Sequence, residues 1–312
     1  MTEQVTGREP YTPVRIKKVS VTERADFRKC RRRWFLSDVW RLEGPNAAMY
    51  FQFGEAMHKA LQVYHTALED QATEGMLTFE AIWAEFTAKA MDNLGFLWDY
   101  SEPEWTAHRK LGVAMLTGYF RQDAKSGFDF PAVGRTLYTE RRFTVKIPGT
   151  NGKLTGKLDL VTEDRAKDII GWDHKNLASQ HSSAQLDLDD QLTGYAWLYY
   201  GATGDRLDHV AYNVLLKKLP VSEKTGKPTT STLFIRDITT RSDAQLEQFE
   251  GYLIQEWKDM RRVALHPEQA YPNPSPFNCP KCPVRAICVS MMNGEDVEYV
   301  VKSGYRIGEE RD

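Results

Sequence analysis

The chain has 312 residues, 41 of them Lys or Arg and 43 Asp or Glu, for a formal net charge of −2. That balance gives no overall attraction to polyanions, so any nucleic-acid contact has to come from local basic patches. Hydrophobic residues at 41% and charged residues at 27% suit a globular fold, and the absence of a long apolar run or of an apolar N-terminal segment points to an intracellular protein without membrane association.

In chain order, residues 1–19 read as an irregular, flexible leader. Residues 22–38 read as a helix with Thr22 as its N-cap. Its basic face runs from Arg24 to Arg33, and Arg28, Lys29, Arg31, Arg32 and Arg33 surround Cys30. Across 46–69 the apolar residues Phe53, Met57, Leu61, Tyr64 and Leu68 recur at helical spacing, with Gly54 and His58 one turn apart. Further helices are predicted at 77–99 and 104–124, making a helical insertion at about 72–130. A strand at 138–147 precedes two strands within KLTGKLDLVTEDRAKDIIGWDHKN (153–176), joined by the polar turn 162–168. With them it would begin an antiparallel sheet. Residues 182–200 read as a helix carrying Gln191 and Tyr195 on one face. Strands at 209–216 and 232–237 flank a basic, turn-rich loop from Lys217 to Lys227, and a long amphipathic helix covers 242–265. Residues 295–312 look peripheral. These elements predict a single α/β domain over 20–294.

Two features carry chemistry. Alternation along a strand turns Asp173 and Lys175 to one face, and pairing with the preceding strand brings Asp159 beside them. His174, by the same alternation, faces the other way with no evident partner. Two carboxylates suit a hard cation such as Mg²⁺ or Mn²⁺, and an ammonium beside it would orient a water or offset charge developing on a phosphodiester. Glu140 could add another acidic group nearby. The second feature is the cysteine set, Cys30 with Cys279, Cys282 and Cys288. The last three form C-x2-C-x5-C in the 271–290 segment. Clustered thiols in a reducing compartment favour metal over disulfide. Four thiolates fit a [4Fe–4S] cluster; the alternative is zinc on three of them with a further ligand. Either would staple the N-terminal segment to the C-terminal one.

Taken in order, a cysteine in a basic helix, G-x3-H at Gly54 and His58, G-x2-D ending at Asp159, D-x-K at Asp173 and Lys175, Q-x3-Y at Gln191 and Tyr195, and the cysteine triplet form one pattern. It resembles the RecB-type branch of the PD-(D/E)XK nucleases, in the iron–sulfur form found in CRISPR-associated RecB-like exonucleases and AddB nuclease domains. The resemblance implies a restriction-endonuclease-like core, a mixed sheet flanked by helices. It implies His58, Asp159 and Asp173 as ligands of the divalent metal, with the backbone carbonyl of His174 as another. Lys175 would be the catalytic lysine, and Gln191 and Tyr195 would approach the strand from the following helix. The four cysteines would hold [4Fe–4S]. The chain departs from the pattern in having Leu158 before Asp159, His174 between Asp173 and Lys175, and Asn176 after them. The implied activity is a metal-dependent DNA exonuclease acting on single strands or ends. The backbone contacts expected for DNA are Arg28 to Arg33 and the loop from Lys217. No G-x4-G-K-[ST] loop occurs, so unwinding would come from a helicase or recombination partner. The rival from another class is a non-catalytic iron–sulfur DNA-binding subunit.

Overall fold

The computed structural model describes residues 12–44, 49–67, 70–91, 101–125, 134–179, 183–221, 226, 232–280 and 282–308. Residues 222–225 and 227 of the loop from Lys217 to Lys227 therefore lie outside the described residues, as do residues 1–11. The centre is a six-stranded mixed sheet built from β1 (Lys18–Ser20), β3 (Arg135–Lys146), β4 (Lys153–Glu163), β5 (Ile169–Leu177), β6 (His209–Leu216) and β7 (Phe234–Thr239), in the order β1-β4-β5-β6-β7 with β3 beside β4. The predicted antiparallel start is present in β3, β4 and β5, but β1–β4 and β5–β6 are parallel. The strand sequences explain the placement. HVAYNVLL of β6 is buried along almost its whole length, as a strand covered on both faces must be. The β4–β5 turn is closed by Asp164, whose carboxylate accepts from the backbone N–H groups of Ala166 and Asp168.

One feature of the sheet positions everything else. One edge of β4 pairs with β3 throughout, while the other pairs with β1 at Lys153–Thr155 and with β5 only at Leu160–Glu163. The sheet forks between these points, and Asp159 stands at the fork.

Helices cover both faces. On one lie α1 (Val21–Lys29), α6 (Asp190–Thr203) and α7 (Asp243–Leu265), packed through Val21, Phe27, Leu192, Leu198, Phe249 and Trp257 against Leu154, Leu158 and Val214. Helix α6 sits close to β4 because Gly156 leaves room: a Cβ there would lie 2.6 Å from Leu198. On the other face α3 (Met49–Thr66), α4 (Gln71–Met91) and α5 (Glu102–Lys125) share an aromatic core of Phe53, Tyr64, Phe79, Trp83 and Tyr119. Helices α4 and α5 are the predicted insertion helices, with shifted ends, and α3 is the helix predicted at 46–69; residues 92–100 fall outside the described set. Among the described residues no helix is long and apolar enough to cross a membrane.

The N-terminal region differs from expectation in three ways. Part of the expected leader is ordered as β1, and Ser20, not Thr22, caps α1 in a capping box with Glu23. The single predicted helix is broken: Cys30 takes an extended conformation at φ −164° and splits α1 from α2 (Arg31–Trp34), which runs on into a π-turn at Phe35–Val39. The basic face is also turned inward. Arg24, fully buried, pairs with Glu256 of α7 and Asp190 of α6, and Arg28 pairs with the same two carboxylates. Arg31 reaches Asp259, Arg33 reaches Asp26, and Arg32 donates to the carbonyl of Ala270. This arginine cluster holds helices together, much of its charge already met by carboxylates, with Arg28 and Lys29 left exposed.

Residues expected to be peripheral close the cysteine region. After α8 (Arg285–Asn293) and α9 (Val297–Gly304), Tyr305 is buried with its hydroxyl 3.1 Å from the carbonyl of Pro283. Strand β8 (Arg306–Ile307) then pairs with β2 (Leu42–Glu43).

Candidate active site

At the fork, Asp159 extends its carboxylate across the gap. Its Oδ2 accepts the backbone N–H of His174 at 2.8 Å, bridging strands whose own ladder has ended two residues earlier. From α3, His58 reaches the same oxygen, with Nδ1 at 3.4 Å from Oδ2 and 3.8 Å from Glu140 Oε1. Glu140 lies opposite Asp159 on β3 with a left-handed φ of +48°, an unfavourable conformation for a side-chain-bearing residue. Strain of that kind is found where a group must be aimed. Among the described residues, His58, Glu140 and Asp159 form the one set of potential metal ligands with all donor atoms within 4.8 Å of one another.

The other half comes from β5 and α6. Asp173 is 3% exposed. Its Oδ2 lies 2.6 Å from Lys175 Nζ, and its Oδ1 accepts from Gln191 Nε2 at 3.0 Å. Gln191 also accepts from Lys175 Nζ at 2.9 Å and donates to the Tyr195 hydroxyl at 2.9 Å. Asp189 caps α6 by accepting from Leu192 N–H, which fixes the first turn that presents Gln191. The helix predicted at 182–200 is thus a short 3₁₀ segment followed by α6, because Asp189 starts a new helix.

Electrostatics separate the groups. Burial opposes charge on His58, yet Asp159 and Glu140 hold its pKa up at about 10. Burial would raise Asp159 too, but His58 and the His174 N–H bring it below the usual carboxylate range. Asp173 moves the other way: burial raises it, Asp159 adds to that, and Lys175 only partly compensates. Lys175 is raised despite burial, mainly by Asp173, and remains an ammonium. Several negative groups so close together are costly without a cation among them. Glu140 Oε1, buried and without a hydrogen-bond donor, fits that need. The oxygen and imidazole donor set suits Mg²⁺ or Mn²⁺, with the nitrogen favouring Mn²⁺.

The sequence-predicted residues His58, Asp159, Asp173, Lys175, Gln191 and Tyr195 all meet here. The grouping within them differs from expectation: Glu140 joins His58 and Asp159, while Asp173 is engaged by Lys175 and Gln191. His174 does face away from Asp173. Its Nδ1 lies 3.0 Å from Asn213 Nδ2, which also donates to Tyr119. Tyr119 accepts from Arg236, which pairs with Asp123 of α5, and Asp123 accepts from Tyr64. Burial keeps the His174 ring neutral. Sequence reasoning missed this layer. Its signal was a polar residue, Asn213, inside the otherwise apolar run of β6, and an arginine, Arg236, at the neighbouring position of β7.

The cysteines also approach one another. Cys282 is pushed up by burial, with Arg33 acting against this and Cys30 and Cys288 near enough to add to it. Sulfurs accept from polar neighbours: Cys30 from Asn273 N–H, Cys279 from Ser275 N–H and Cys288 from Arg32.

Comparison with known structures finds low-scoring likenesses. The protein SSO0001 aligns over 89% of this chain and 88% of its own at 13% identity and a TM-score of 0.35. An alkaline exonuclease of Laribacter hongkongensis, LHK-Exo, aligns over 71% and 97% at 9% identity and 0.27; its complex with dAMP gives 0.29. No curated protein matches by sequence. The sequence does match a protein family over residues 18–289, a span that contains every element of the site just described, and on that match the chain belongs to the PD-(D/E)XK nuclease superfamily.

Proposed function

We propose that the protein is a RecB-type, metal-dependent DNA exonuclease that hydrolyses phosphodiesters at the fork between β4 and β5. The observation that carries this reading is the convergence of His58, Glu140 and Asp159 on one point with the Asp173–Lys175–Gln191 triad beside it. His58, Asp159 and Glu140 would hold Mg²⁺ or Mn²⁺, with Asp173 and the His174 carbonyl as further ligands. When bound, such an ion supplies a Lewis acid and a bound water of lowered pKa. Lys175 orients that water and offsets negative charge as the phosphorus centre is attacked. Gln191 keeps Lys175 and Asp173 in register, and Tyr195, whose hydroxyl burial keeps protonated, accepts from Gln191 and bonds Asp173, holding that carboxylate in place.

The four cysteines are assigned to a [4Fe–4S] cluster. Its support is that all four cysteines are used and that N–H groups of Asn273, Ser275 and Arg32 are aimed at three of the sulfurs, as at thiolate ligands. The cluster would be structural, joining Cys30 to the segment after α7. Single strands or ends, delivered where needed by a partner helicase, are the proposed substrate.

The test is digestion of end-labelled single- and double-stranded oligonucleotides with Mg²⁺ or Mn²⁺. The native protein should shorten the single strand from one end. Asp173→Asn should abolish cleavage while leaving fold and brown colour intact; undiminished cleavage by that variant would refute the assignment.

A further inference from the structure

Cross-strand register places a row of cations along one surface of the β3–β4 ribbon. Residues opposite one another share a face, and Lys153 is opposite both Lys146 of β3 and Lys18 of β1. Three ammonium groups thus stand side by side across three strands, all exposed. Two residues along, Thr144 lies opposite Thr155, their hydroxyls 3.1 Å apart. Two further, exposed Arg142 lies opposite exposed Lys157, and the next step reaches Glu140 and Asp159. Lys157 already pairs with Glu140. The alternate residues Leu154, Gly156 and Leu158 face α6, so this is the surface turned away from that core.

Like charges directly opposite in a sheet are destabilising. Among the described residues no carboxylate lies within ion-pair distance of Lys18, Lys146, Lys153 or Arg142, in a chain whose acidic residues outnumber its basic ones. Folding gains nothing from such an arrangement, whereas a polyanion would neutralise it.

We propose that this ladder is a track for the sugar–phosphate backbone of a single polynucleotide strand, leading it to the carboxylates at the fork. The proposal rests on the nuclease reading for what happens at the end of the track. Six residues at about 3.4 Å each give a path of roughly 20 Å, matched by about six nucleotides at stacked spacing. The path ends at the carboxylates of Glu140 and Asp159, whose side chains are only 6–7% exposed, a recess that a lone strand enters more readily than a duplex. Backbone contacts of this kind hold a strand without reading its sequence.

The experiment is binding of labelled oligothymidylates by fluorescence anisotropy across a salt series without divalent metal, with cleavage measured separately. Each phosphate neutralised on a single strand contributes about 0.7 to the slope of log K against log salt. The triple variant Lys18→Gln, Lys146→Gln, Lys153→Gln should lower that slope by about 2, weakening affinity by about 100-fold at 0.1 M salt relative to 1 M. A control removing Lys110, Lys167 and Lys302 should leave the slope unchanged. Thermal stability of the ladder variant should be retained or raised, since it loses only mutual repulsion. An unchanged slope overturns the track even if cleavage persists, and so does equal slope loss with a duplex of the same length. A lowered slope in a protein that cuts nothing upholds the track and removes the nuclease reading instead.

Discussion

Single residues at this site carry more than one task, and each task can be read separately. Glu140 was legible as a further acidic group near the site; its left-handed backbone and its meeting with His58 depend on β3 lying opposite Asp159, which local sequence does not encode. Glu140→Gln keeps the shape and removes the charge, and should weaken Mn²⁺ binding by about tenfold or more in titration calorimetry. His65, two turns along α3 from His58, is buried and stacked on His174 at 5.9 Å. Burial lowers its pKa to about 4. Below the unfolded value near 6.5 the unfolded chain takes up a proton that the folded one refuses. Stability is therefore full above about 6.5 and lost as pH falls toward 4, by about 3 kcal/mol for this group. His65→Gln should flatten the stability–pH curve between those limits by about one proton, checked by urea unfolding at several pH values.

Among the elements, those built from local pattern were legible: the β4–β5 hairpin, the run of β6, and the long amphipathic α7. Breaks and partners were not. Both sides of Cys30 have helical composition, so the extended residue between α1 and α2 leaves no trace in periodicity. The arginines of α1 resembled a nucleic-acid face because their carboxylate partners lie 162 to 232 positions downstream. Burial separates their energetic roles. Arg24, fully buried against Glu256 and Asp190, should cost about 3 kcal/mol or more when changed to Met, because two carboxylates lose their counter-charge. Arg28, on the same partners but 40% exposed, should cost about 1 kcal/mol or less on change to Ala. Urea midpoints of the two variants test the contrast.

Across the whole molecule, the first and last described segments are brought together twice: through Cys30 beside Cys282 and Cys288, and through β2 paired with β8. Loss of the proposed cluster should therefore loosen both ends together. Cys282→Ala should bleach the protein and lower its thermal midpoint, while proteolysis should open residues near Cys30 and near Tyr305 in the same time course. The sheet has the opposite construction, since it comes apart where the chemistry is. A single carboxylate, Asp159, fastens the two diverging strands and faces the imidazole of His58. Architecture and reactivity thus meet on one oxygen atom, Oδ2 of Asp159. An engineer cannot retune that side chain for another cation without also resetting the angle at which the strands part, and improved variants will have to be sought in the residues around it.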